Sequence, residues 1–322
     1  NVINGFMNAF QNPASQVTVT LLVDQKDYAR IGGIQSTMGA LVGIFQPILA
    51  TTILNVLGLQ WILIVDLCTF VFAFLVLLFV VQIPDEIASD SQSSFSEIWN
   101  GLKEGIDFIS GNRPILMLLI MYCILEFIGA ISFDGMFTPL LLARTNNNET
   151  IVGIVSSFMA IGCIVASVIL SMMEQPKKKL PIMYFGSYMC LIGITLFGMG
   201  RSLVWWCIVV FIGCFGSPIY HTYQTIIIRE KVDASMQGRV FSLQGMITQA
   251  LTPLGFLGGG MLADYIFEPL MKKMFLGKNI ITFFVGRQNG SGIGLIFVIA
   301  GLVGIAALTI LKCNPAIKEL EQ

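Results

Sequence analysis

Three acidic residues, Asp66, Glu126 and Asp134, fall well inside long apolar runs of this sequence, and no lysine or arginine lies that deep in any of them. An ionisable side chain in hydrocarbon costs at least about 2.5–3.5 kcal/mol to insert, which makes each of the three a candidate for function. A lone carboxyl in a low dielectric keeps its proton until water or a cation reaches it. It can then give up the proton on one side of a barrier, take an organic cation there, and exchange the two on the other side. Glu126 stands near the middle of its run and is the first candidate for that chemistry. The bland alternative is a glutamate hydrogen-bonded to a neighbouring helix. Asp66, in Asp66-Leu67-Cys68-Thr69-Phe70, lies about seven residues from the end of its run, roughly 10 Å deep at 1.5 Å per residue. Capping or bonding a neighbouring helix is an equal reading for it. Asp134 is at similar depth and is open to simple wetting.

His221 is the only histidine in the chain. Its side chain titrates near physiological pH, so a proton relay competes with a structural hydrogen bond. Gln46, Tyr220, Tyr223, Gln224 and Gln249 are candidates to line a cavity for amphipathic ligands, with helix packing as the competing account. Pro47 and Pro253 each remove one backbone hydrogen bond from an apolar run, and kinks there would shape gates. Arg30 and Arg239 begin the same two runs. They read as gate or headgroup anchors, against snorkelling at a surface. Phe158, Met159, Met172 and Met173 suit either a promiscuous pocket or lipid-facing bulk.

The elements that must position these residues follow from composition. The 322 residues are 55% hydrophobic and only 11% charged, with mean hydropathy +0.81, against about 25% charged residues in a soluble domain. The chain is an integral membrane protein. About 20 apolar residues cross a bilayer as one helix. On that rule nine runs span: 1–23, 32–57, 59–81, 114–142, 151–172, 180–199, 203–228, 240–263 and 293–311. Of the 18 lysines and arginines, twelve fall on one side of such a topology and six on the other. Four of those six sit in one long loop, 264–292. The positive-inside rule then places the C-terminus in the cytoplasm. In the long outer loop Phe267, Leu270, Met271, Met274 and Phe275 are spaced for a helix resting on the interface. Asn148-Glu149-Thr150 matches a glycosylation sequon. Gly39 and Gly43 form a G-x-x-x-G contact motif.

Residues 82–113 form the longest cytoplasmic segment and the natural boundary between a first part (1–81) and a second (114–322). Ser94-Phe95-Ser96-Glu97 is a capping box. Behind it Phe95, Ile98, Trp99, Leu102, Ile106 and Ile109 mark an amphipathic helix, lying on the membrane or packed on the protein's inner face. The seven cysteines include no C-x-x-C pair, which with one histidine excludes the usual zinc sets. They read as small apolar residues within helices. No H-E-x-x-H or G-x-S-x-G occurs, so an enzyme is not expected. No basic cluster interleaves with aromatics, so nucleic acid is not an expected partner. Lipid and a small molecule are, and the chain reads as a monomer.

An internal echo ties the two parts together. Pro13 and Thr20-Leu21-Leu22-Val23-Asp24-Gln25-Lys26 match Pro218 and Thr225-Ile226-Ile227-Ile228-Arg229-Glu230-Lys231. After a short insertion, Arg30-Ile31-Gly32-Gly33-Ile34-Gln35 matches Arg239-Val240-Phe241-Ser242-Leu243-Gln244. A parallel repeat in a membrane chain is the mark of a transporter built from two like halves.

With Asn8-Ala9-Phe10-Gln11-Asn12-Pro13-Ala14, Gly238-Arg239-Val240-Phe241-Ser242-Leu243 and Leu262-Ala263-Asp264-Tyr265-Ile266-Phe267-Glu268-Pro269, the chain resembles the macrolide-efflux-like branch of the major facilitator superfamily. The resemblance implies an all-α membrane bundle of twelve helices, of which nine are present here as the fourth through twelfth. It also implies a plasma-membrane exporter of hydrophobic or cationic drugs that works by alternating access, driven by a proton gradient with no cofactor. The loop the superfamily carries between its second and third helices has its counterpart at Ser171–Lys179, which keeps the positive run Lys177-Lys178-Lys179 and little else. Export of another amphipathic solute such as a siderophore, and a non-transporting scaffold or sensor, are the competing readings.

Overall fold

Apolar runs can cross hydrocarbon only as helices or closed barrels, because each backbone N–H and C=O must find its partner within the protein. The computed structural model describes residues 95–174, 176–274, 285–286 and 288–321, the helix at 59–79 and scattered residues between 30 and 42; among them there is helix and no strand. Helix α1 is Leu59–Phe79 and α2 is Phe95–Gly111. Helix α3, Arg113–Gly129, runs through a π-turn at Ala130–Asp134 into α4, Gly135–Arg144. Then come α5 (Glu149–Met172), α6 (Leu180–Met199) and α7 (Leu203–Lys231). Helix α8, Ala234–Met261, continues through a second π-segment, Leu262–Phe267, into α9, Glu268–Met274. Helix α10 is Ser291–Lys312, and α11 is the short Pro315–Lys318.

Six helical rods among the described residues are long and apolar enough to cross a membrane: Arg113–Arg144, Glu149–Met172, Leu180–Met199, Leu203–Lys231, Ala234–Lys273 and Ser291–Lys312. They correspond to the last six expected runs, and α1 corresponds to the third. The runs expected at 1–23 and 32–57, with Gln46 and Pro47, lie outside the described residues apart from a few positions.

Local chemistry starts these helices where it should. Asn112 accepts the backbone N–H of Ile115 at 3.4 Å, and Pro114 occupies the first turn of α3. Ser202 accepts from the N–H of Trp205 at 3.3 Å to begin α7. Asn148, the first residue of the sequon, accepts from the N–H groups of Thr150 and Ile151 at 3.1 and 3.4 Å. Its side chain is the cap of α5.

Lipid offers no hydrophobic drive between helices, so close packing must come from small residues. Helices α6 and α7 meet through such a seam. A Cβ on Gly193 would stand 2.6 Å from the Cα of Gly213, and one on Gly186 would stand 2.7 Å from the carbonyl oxygen of Gly216. Helix α5 flanks α7, and α10 closes on the other side of α6.

One expectation changes. The segment after residue 263 is not a loop with a separate surface helix. The rod continues to Lys273; Met271 is buried against Val285 and Leu295 with Phe267 packed beside it, Leu270 is exposed, and the Met274 side chain and Phe275 lie outside the described residues. Arg239, expected as a gate or headgroup anchor, has a partner within the protein. Its guanidinium pairs with Glu104 of α2 at 2.9 Å, and Gly105 of α2 lies against the Arg239 Cβ and the Leu243 side chain. The amphipathic helix is thus docked on the start of α8, with Ile109 buried. The side chains of Phe95, Ile98, Trp99 and Leu102 lie outside the described residues. At the same end of the bundle Lys179 pairs with Glu230 across α6 and α7, and Ile317 and Leu320 of the tail tuck in beside them.

Candidate functional site

A cavity of about 350 Å³ opens between the α3–α4 rod, α5, α6 and α7. Its polar wall comes from both ends of the π-turn. In a regular helix, residues eight apart are rotated by about 80° at 3.6 residues per turn, which would send Glu126 and Asp134 to different faces. The extra residue of the π-turn removes about 100° of that rotation. Both carboxyls therefore line the same cavity. The turn is held in place locally: the Ser132 hydroxyl donates to the Ile128 carbonyl at 2.5 Å. Glycines of α8 leave room for it, since a Cβ on Gly255 would stand 2.5 Å from that of Ala130.

His221 faces this wall from α7. Its Nε2 lies 3.7 Å from Oε1 of Glu126, within ion-pair range but beyond a direct hydrogen bond. The two side chains are 45% and 25% exposed, so each reaches the cavity rather than being sealed in packing. Aromatic rings fix the histidine. The Tyr220 ring is 4.7 Å from the imidazole, and Tyr122 meets it edge-on at 6.2 Å. The Tyr122 hydroxyl in turn accepts from Thr248 of α8 at 3.3 Å. The same cavity also has an aromatic lining. Phe133 and Phe137 belong to a ring cluster with Phe197 and Phe297, at centroid spacings of 5.1–5.7 Å. An organic cation with an apolar body would find both halves of its chemistry here.

The candidates therefore separate. Glu126, Asp134, His221 and Tyr220 line one cavity. Tyr223 and Gln224 are 1% exposed and belong to the core instead, with Gln224 accepting from Gln244 at 3.4 Å. Gln249 is exposed on α8 and is not part of the lining. Asp66 is an exposed residue of α1 whose carbonyl accepts from the Thr69 hydroxyl at 2.9 Å. Pro253 lies inside α8, and Arg30 is exposed on a short described stretch of helix.

Two features escaped sequence reasoning. Cys163, Cys190 and Cys214, read as apolar filler, all line the cavity, as do Met159 and Ser187. Arg144, at the far end of α4 from the π-turn's origin, donates to the carbonyls of Gly200 and, at 3.1 Å, of Val285. Beside it Glu268 accepts the Gly292 N–H at 3.1 Å. Together they lace α4, α6, α9 and α10 at that end of the bundle.

A bundle of helices long and apolar enough to cross a membrane, around a cavity lined by charged and aromatic side chains, describes a multi-pass membrane protein. The sequence model of the Major Facilitator Superfamily matches residues 1–256, and the chain belongs to that family. Membership of this family points to transport rather than to enzymatic chemistry. The chain is 23% identical over 266 residues to macrolide efflux protein A of Streptococcus pyogenes, an alignment covering 82% of this chain and 65% of that protein. With macrolide efflux protein A of Enterococcus faecalis it shares 24% identity over 255 residues, covering 79% of this chain and 78% of the relative. The chain thus spans about 65% of the length of the Streptococcus protein it matches. The crystal structure of a bacterial homologue of the iron transporter ferroportin, in an outward-facing state, superposes with a TM-score of 0.62 at 16% identity. That superposition covers 92% of this chain and 67% of the other, and the likeness is one of fold. The family resemblance carried by the motifs is borne out.

Proposed function

We propose that this chain belongs to a proton-coupled exporter of hydrophobic cations of the macrolide class, with Glu126 as the coupling carboxyl. The observation that carries the reading is the Glu126–His221 pair in a cavity that is also lined by Phe133 and Phe137. One carboxylate can hold a proton or a protonated amine, but not both, and that exclusion is the core of antiport. His221 tunes the exchange: its imidazole favours the ionised carboxyl when protonated and leaves room for a cargo cation when neutral. Asp134 supplies a second negative site along the same wall. Alternating access between two like halves, a plasma-membrane location and a cytoplasmic C-terminus complete the reading, supported by the internal repeat and the lysine and arginine distribution.

At about 350 Å³ the cavity is at the small end of ligand pockets. It suits the cationic group and one apolar arm of a large cargo, the rest lying outside it. The test is cellular accumulation of a macrolide with and without a protonophore. The reading expects low accumulation that rises when the gradient collapses, and that is equally high from the start in Glu126→Gln. Accumulation indifferent to both would count against it.

A further inference from the structure

The cavity wall carries chemistry that export of an organic cation does not use. Three of the seven cysteines, one each from α5, α6 and α7, meet there: Cys163, Cys190 and Cys214. Cys163 and Cys214 are the closest of these. The Cys163 thiol donates to the Cys214 carbonyl at 3.3 Å, which sets the two cysteines side by side across α5 and α7, and both line the cavity. Their helices are pinned at this level, because a Cβ on the adjacent Gly162 would stand 2.5 Å from the carbonyl oxygen of Phe211. Met159, one turn before Cys163 on the same face of α5, brings a thioether to the same cavity.

We propose that Cys163 and Cys214 form a two-coordinate site for a soft d10 cation such as silver(I), copper(I) or mercury(II), entered from the cavity. Thiolate and thioether donors select soft cations over hard ones. Coordination number narrows the choice further. Among the described residues no group of three or more histidine, cysteine, aspartate or glutamate side chains is placed to hold a metal ion together. A tetrahedral zinc set is therefore not assembled, whereas two sulfurs on facing helices satisfy a cation that accepts linear coordination. Binding forms two metal–sulfur bonds and releases the two thiol protons to water, with no change in oxidation state. Cys190 and Met159 stand by as sulfur donors along the entry path. This inference is independent of which organic cargo the transporter carries.

The test uses the purified full chain in detergent with silver(I) or zinc(II) as the probe. A variant with Cys68, Cys123, Cys207 and Cys313 changed to serine keeps only the three cavity thiols. It is expected to bind one silver ion, and to bind zinc at least about 100-fold more weakly. Adding C163S and C214S is expected to weaken silver binding by at least about 100-fold, the loss of primary ligands exceeding the 10–100-fold typical of outer-shell partners. Because such variants can misfold, the wild-type chain provides a second reading. One equivalent of silver should protect Cys163 and Cys214 from alkylation by N-ethylmaleimide, as mapped by mass spectrometry, while Cys68 and Cys313 remain reactive. Equal affinity for zinc, unchanged silver binding without the two thiols, or protection of other cysteines in their place would overturn the proposal.

Discussion

Replacing Gly193 by alanine probes a backbone-on-backbone contact between α6 and α7. The added methyl would stand 2.6 Å from the Gly213 Cα, where an ordinary contact is 3.4–4 Å. The obstacle is backbone and cannot swing aside as a side-chain tip would, so α6 and α7 must separate by about 1 Å at that level. Overpacking of this kind destabilises by about 1–3 kcal/mol. At about 2–4 °C per kcal/mol for a large domain, the melting temperature should fall by about 2–12 °C. The assay is thermal unfolding in detergent, followed by a dye that fluoresces on reaction with newly exposed cysteines. Gly258→Ala is the control. It lies on α8, a Cβ there meets nothing within 4 Å, and alanine gains up to about 1 kcal/mol of helix propensity. Equal melting temperatures for Gly193→Ala and Gly258→Ala would refute the backbone seam.

Arg144→Ala should lower the same melting temperature by the equivalent of about 1–3 kcal/mol, since it strands the carbonyls of Gly200 and Val285 that the guanidinium serves. Arg144→Lys should not restore it, because one ammonium lacks the fixed fork that reaches two acceptors. Glu104→Gln, by contrast, should shift stability by less than about 1 kcal/mol, as the pair with Arg239 is 58% and 40% exposed. Gly105→Trp should detach α2 from α8, where an added Cβ already meets Leu243 Cδ1 at 2.8 Å. Faster tryptic cleavage after Lys103 would report it.

The spans were legible because lipid leaves the backbone few choices, and Glu126 was legible because a carboxyl at mid-span is expensive wherever the chain folds. Its partner was not. Glu126 and His221 lie on α3 and α7, and nothing in either run marks the face it presents. The joint placement of Glu126 and Asp134 depends on one extra residue in the Ala130–Asp134 turn, and the glycines that flank it, Gly129 and Gly135, do not by themselves distinguish a π-turn from ordinary helix packing. The burial of Tyr223 and Gln224 was not legible either. They lie one turn further along α7 from Tyr220 and His221, where Gln244 of α8 packs against Gln224, and polarity alone does not reveal where along a helix a cavity ends. The cysteines were misread because a thiol in an apolar run looks the same whether it faces a core, a lipid or a cavity.

The central claim is that Glu126 exchanges a proton for an organic cation. Its most direct test is macrolide uptake into everted membrane vesicles driven by an imposed pH gradient, acid inside, compared between the wild type and Glu126→Gln. The account predicts uptake in the wild type that vanishes with a protonophore, and none above empty vesicles in the variant. Gradient-driven uptake that survives Glu126→Gln would contradict it.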